Sequence, residues 1–155
     1  MDASTNCFSG VMQRKPFPFV VLFVLAGWPL GALPANDPDV SALLADGAGQ
    51  AQARCYRLVH DDTYEFGDCV RELAGRQAKN PPLRLGIEYF GWVGAMNSAR
   101  LGMRGADETA AEFLARFRAS QAALGIDDRT LCASVPGDCA ARIARIRQAE
   151  RKPGN

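Results

Sequence analysis

Residues 83–103, LRLGIEYFGWVGAMNSARLGM, decide how the chain is read. At the helical spacing of about 100° per residue, Leu85, Tyr89, Trp92, Met96 and Met103 share one face. Ile87, Gly91, Ala95, Ser98 and Gly102 form a second face of mostly small residues, and Phe90, Val93, Gly94, Asn97 and Leu101 fill most of the remainder. A helix that is apolar nearly all round is buried among its neighbours rather than laid on a surface. Glycine inside a helix costs about 0.5–1 kcal/mol relative to alanine. Gly86, Gly91, Gly94 and Gly102 therefore point to other helices packing close. The length also suits the roughly 20 residues of a membrane span, but Arg84, Glu88, Asn97 and Arg100 are expensive in lipid. The stretch predicts the central buried helix of a bundle.

Working outward, Phe66, Cys69, Val70 and Leu73 form an inward stripe on a helix from Thr63 to Ala78. Asp62 followed by Glu65 gives its capping-box start, and Asn80-Pro81-Pro82 ends it. Upstream, Asp39 or Ser41 caps a short helix through Ala45 that breaks at Gly47 and Gly49, and helix resumes from Gln50 to Val59. Downstream, Asp107 is the expected N-cap of a helix that buries Phe113, Leu114, Phe117 and Leu124 and stops at Gly125. A single turn over Asp127–Cys132 precedes a last helix, Val135 to Glu150, that buries Val135, Cys139, Ile143 and Ile146. Arg142, Arg145 and Arg147 read as its solvated face, with a frayed tail beyond. No segment alternates with the period of a strand. The expectation is an all-α fold: one small disulfide-stabilised helical bundle of about five helices, over residues 36–155, around the buried helix 83–103.

Residues 1–35 read as a signal peptide. Arg14 and Lys15 precede an apolar run from Phe17 to Ala26, and Ala32-Leu-Pro-Ala35 offers a small-residue cleavage site. The polar stretch before Met12 makes Met12 the expected start of translation. A periplasmic or secreted protein follows, with no stable membrane insertion after cleavage. Losing Cys7 with the leader leaves four cysteines, which in an exported chain read as two disulfides. Local pairing is favoured: Cys55 and Cys69 are equidistant from Asp62, and Cys132 and Cys139 flank the turn at 133–137. Neither Cys-x-x-Cys nor a metal-ligand spacing occurs, so no cofactor and no metal are expected. Eighteen basic residues against seventeen acidic ones give a net charge of +1. Nothing in that balance asks for nucleic acid or an anionic membrane surface.

The residues able to carry chemistry are few. His60 is the only histidine, beside Asp61 and Asp62 at a helix–helix turn, and Asp62 already has a capping role. Glu88 lies on the apolar helix, where it either pairs with an arginine such as Arg84 or serves as an acid. Asn97 is expected to satisfy a buried backbone group, and Ser98 has no histidine near it in sequence. Aromatic residues concentrate around the first hairpin and the central helix, where tyrosine and tryptophan act as core or as binding anchors. The candidate binding residues are Glu88, Tyr89, Trp92, Asn97, Tyr64 and Phe66. The function this supports is an exported, non-catalytic binding protein of the cell envelope, with another envelope protein as its partner. In size, helical character and cysteine use the chain is similar to small exported helical immunity proteins with two disulfides. That likeness implies an inhibitor- or immunity-like role. Two other readings stand beside it. One is a hydrolase of an envelope polymer with Glu88 as acid and Asp61, Asp62 or Asp68 as its partner. The other is a carrier of a small apolar ligand.

Overall fold

The computed structural model describes residues 38–135 and 137–150; residues 1–37, with the expected signal peptide and Cys7, Pro136 and residues 151–155 lie outside the described residues. The elements are α1 (Pro38–Cys55), a single 3₁₀ turn (Tyr56–Val59), α2 (Thr63–Arg76), α3 (Pro81–Arg100), α4 (Ala106–Leu124), α5 (Asp128–Ser134) and α6 (Cys139–Glu150). The fold is the expected all-α bundle with two disulfides, and the described residues form six α-helices where about five were expected.

The central helix α3 starts two residues before the expected boundary because prolines occupy its first turn, where a missing N–H is harmless. It stops at Arg100, short of Met103. Gly102 and Gly105, with φ of 70° and 73°, take the chain through a reversal that other residues rarely adopt. Gly102 is thus a turn glycine. The other three serve close packing. A Cβ on Gly86 would sit 2.2 Å from the Leu44 carbonyl oxygen of α1, one on Gly91 2.8 Å from Val70, and one on Gly94 2.3 Å from the Phe66 ring. Neighbours press on α3 from α1, α2 and α4, and Leu85, Ile87, Tyr89, Trp92 and Ala95 are buried among them.

Two expected boundaries give way to packing. Gly47 and Gly49 do not break the first helix, and α1 runs unbroken from Pro38 to Cys55. A Cβ on Gly47 would stand 2.0 Å from the Leu83 carbonyl oxygen, so this glycine is the α1 side of the α1–α3 crossing. Burial against α3 outweighs its poor helix propensity. Asp107 is not the N-cap of α4. Gly105 occupies that position in the left-handed region, and Asp107 lies in the first turn beside the positive helix end. At the other end Gly125 (φ 66°) donates its N–H to Ala122 and Ile126 donates to Gln121, the pair of bonds expected of a glycine cap. Asp62 caps α2 as expected, its carboxylate accepting from the backbone N–H of Tyr64 and Glu65. Val135 is buried but closes α5, and the last helix begins only at Cys139.

The cysteines pair locally. Cys55 and Cys69 have their sulfurs 2.00 Å apart and join the end of α1 to α2. Cys132 and Cys139, at 2.08 Å, join α5 to α6. Each closed loop removes denatured-state freedom worth about 2–4 kcal/mol of stability. No helix among the described residues is long and apolar enough to cross a membrane.

Candidate functional site: an apolar cleft between α3, α4 and α6

The position of α6 creates the site. Among the described residues its backbone comes close to that of α5 and not to α3 or α4. Three devices hold it there: the Cys132–Cys139 bridge, the buried side chain of Ile143, and an ion pair from Arg147 to Asp128. Asp128 is the junction of that end of the molecule. It also accepts from Arg118 Nη1 at 2.6 Å and Gln121 Nε2 at 2.8 Å. Burial pushes the Asp128 carboxyl up. Hydrogen bonds from Gln121, Arg118 and Arg147 overcome that and hold it below the usual carboxylate range.

Between α6 and the α3–α4 pair lies a cleft of about 430 Å³. Its apolar lining is Trp92, Val93 and Met96 from α3, Leu114 from α4 and Ile146 from α6. Its polar lining is Asn97, Arg100, Arg142 and Arg145. A smaller cleft of about 250 Å³ adjoins it through Val93, Asn97 and Arg142 and reaches Tyr89, Gln52 and Tyr56. The wall behind Trp92 is rigid because three rings lock together. Trp92 and Phe117 have centroids 5.4 Å apart, Tyr89 and Phe117 6.0 Å, and Tyr89 and Trp92 5.9 Å. Arg118 lies over the Phe117 ring at 5.1 Å, a cation–π contact.

Among the described residues no carboxylate lines either cleft. Among the described residues six arginines are matched by acids: Arg71 with Asp68 and Glu112, Arg76 with Glu72, Arg84 with Glu88, Arg116 with Glu112, and Arg118 and Arg147 with Asp128. Arg100, Arg142 and Arg145 make no ion pair among the described residues. Arg100 and Arg145 are exposed and Arg142 half-buried, so three cationic side chains in reach of water border the apolar residues of the cleft.

Tyr89 senses this charge. Burial raises the pKa of its hydroxyl, Arg142 opposes the shift and Asp138 adds to it. A phenol held neutral by the folded state gives the unfolded chain the advantage once free tyrosine ionises, near pH 10. Stability contributed by Tyr89 is therefore fully present below about pH 10 and is lost as pH rises further. Tyr89→Phe flattens the alkaline limb of a stability-versus-pH curve measured by urea unfolding, while an unchanged limb would show that Tyr89 takes no part in it.

The six candidate binding residues separate. Trp92 and Asn97 line the main cleft, and Tyr89 and Asn97 line the smaller one. Glu88, Tyr64 and Phe66 lie elsewhere. Phe66 is fully buried beneath Gly94, with its ring 6.2 Å from Phe90. Tyr64 is about half exposed and its ring covers Gly105. Glu88 is fully buried; one carboxylate oxygen accepts from Arg84 Nε at 2.8 Å and the other from the Ser120 hydroxyl. Of the carboxylates set beside it in the hydrolase reading, Asp62 caps α2 and Asp68 pairs with Arg71. Ser98, not Asn97, satisfies the buried backbone, its Oγ donating to the Val59 carbonyl at 2.7 Å. The cleft arginines were the residues sequence reasoning passed over. Arg142, Arg145 and Ile146, spaced three and four apart, carry the helical signal of a shared face.

Fold and site define a disulfide-clamped helical bundle with a formed apolar cleft bordered by cationic side chains. No known family model, curated protein or solved structure matches the chain.

Proposed function

We propose that this is an exported, non-catalytic binding protein of the cell envelope, and that the cleft between α3, α4 and α6 is its binding site. The observation that carries the reading is the cleft itself. Its volume, about 430 Å³, lies within the roughly 300–1,000 Å³ usual for small-molecule sites. Its chemistry is also that of such sites, an apolar interior with few polar groups. Export is supported by the leader-like residues 1–35 and by two disulfides, which persist in oxidising compartments. The wall on the α3 side is preformed by the Tyr89–Trp92–Phe117 rings, which lowers the ordering entropy a ligand must overcome.

Nile red, a neutral apolar fluorophore, tests the site directly. The oxidised protein is expected to bind it saturably with a fluorescence rise. Leu114→Trp, which fills the cleft from the α4 side, is expected to abolish the rise with little change in melting temperature. Absence of saturable binding, or binding unchanged in a folded Leu114→Trp protein, defeats the assignment.

A further inference from the structure

We infer that the ligand of this cleft is an anionic amphiphile of the fatty-acid type, a single apolar chain ending in a carboxylate. The inference deepens the binding reading above and rests on it. Trp92, Val93, Met96, Leu114 and Ile146 supply a largely apolar lining, which suits a hydrocarbon chain. Arg100, Arg142 and Arg145 stand at the same cleft, and among the described residues its lining contains no acid to neutralise them. A guanidinium presents a planar fork of donors that matches a carboxylate in two-point contact. Arginine stems also cover apolar surface while the charge stays wet, but that habit alone does not gather at one cleft three cations from two helices, none of them ion-paired among the described residues. Asn97, half-buried beside them, adds an amide able to hydrogen-bond the head group.

Size favours a small molecule over a protein segment. Nine of the described residues line the main cleft, whereas a stable protein–protein interface takes about 20–30 residues a side. A neutral or cationic amphiphile fits the apolar lining equally well and leaves the arginines unmatched. The carboxylate answers both halves of the site.

Displacement of Nile red by three amphiphiles of equal chain length reads the head-group preference: dodecanoate, dodecanol and the dodecyltrimethylammonium cation. Dodecanoate is expected to displace the dye at a concentration at least about tenfold lower than dodecanol, since hydrogen bonds to a charged group are stronger than those between neutral groups. The cation is expected to be the weakest. Arg142→Gln combined with Arg145→Gln is expected to erase the preference for dodecanoate over dodecanol. Arg145→Gln alone, at an exposed position, reduces it without risk to the fold. If dodecanol matches dodecanoate while Nile red still binds saturably, the anionic ligand is wrong and the binding site stands. If an acidic amphipathic peptide displaces the dye and dodecanoate does not, the occupant is a protein segment and the inference fails. If Nile red itself does not bind, the binding reading and this inference fall together.

Discussion

Gly86→Ala is expected to destabilise the protein by about 2–3 kcal/mol, although alanine is the better helix former by about 0.5–1 kcal/mol. The added Cβ would lie 2.2 Å from the Leu44 carbonyl oxygen and 3.0 Å from the Ala48 nitrogen, both in the backbone of α1. No side chain can rotate away to relieve such a contact. Either α1 shifts as a unit or the α1–α3 crossing opens, exposing Leu44, Ala48 and Leu83, all buried now. Gly47 faces the same crossing from the other side, so Gly47→Ala is expected to be at least as damaging. Gly49→Ala provides the internal control. It lies in the same helix, is exposed, and a Cβ there meets nothing within 4 Å. Propensity alone then operates, and Gly49→Ala is expected to gain about 0.5–1 kcal/mol. Urea unfolding of the three variants separates packing from propensity. A Gly86→Ala protein as stable as the parent would mean that α1 and α3 do not approach this closely.

The same pair of glycines shows where sequence is informative and where it stops. In α3 the glycines sit among Leu85, Ile87 and Trp92, so their apolar setting announces a packing role. In α1 the neighbours Asp46, Ala48 and Gln50 give no such context, and Gly47 reads as a helix breaker. Its purpose depends on Leu83, thirty-six residues away, and no local pattern encodes that contact. Cysteine pairing was legible because both bridges are local, spanning 14 and 7 positions. The cap at Asp62 was legible for the same reason. Half of the candidate binding set falls outside both clefts because tyrosine and phenylalanine at helical spacing look alike whether they fill a core or line a groove. Phe66 went to the core under Gly94, while Trp92 reached the cleft only because α6 stands off there. The arginines of α6 read as a solvated face since a helix alone does not say which neighbour it leaves uncovered.

Arg84→Met is expected to be the most damaging change at any charged position of α3, at about 3–5 kcal/mol, because it strands a buried carboxylate. The two partners of this ion pair are unequal. The Arg84 side chain is 40% exposed and the Glu88 side chain 0%. Without Glu88, the guanidinium turns to water and loses little. Without Arg84, the Glu88 carboxylate keeps only the Ser120 hydroxyl and has no route to solvent. Glu88→Gln preserves the shape and can still accept from Arg84 and donate to Ser120, so about 1–2 kcal/mol is expected for it. The double variant Arg84→Met, Glu88→Gln should then be more stable than Arg84→Met alone, a coupling that two independent losses cannot produce. Unfolding free energies of the four proteins measure that coupling. A double variant that simply sums the single losses would mean the pair is not coupled and Glu88 is held by other groups. Glu88→Gln carries a second readout. Glu88 lines neither cleft, so the variant is expected to bind Nile red with the parent's affinity. A loss of dye binding in a stable Glu88→Gln protein would return Glu88 from the frame of the fold to its working site.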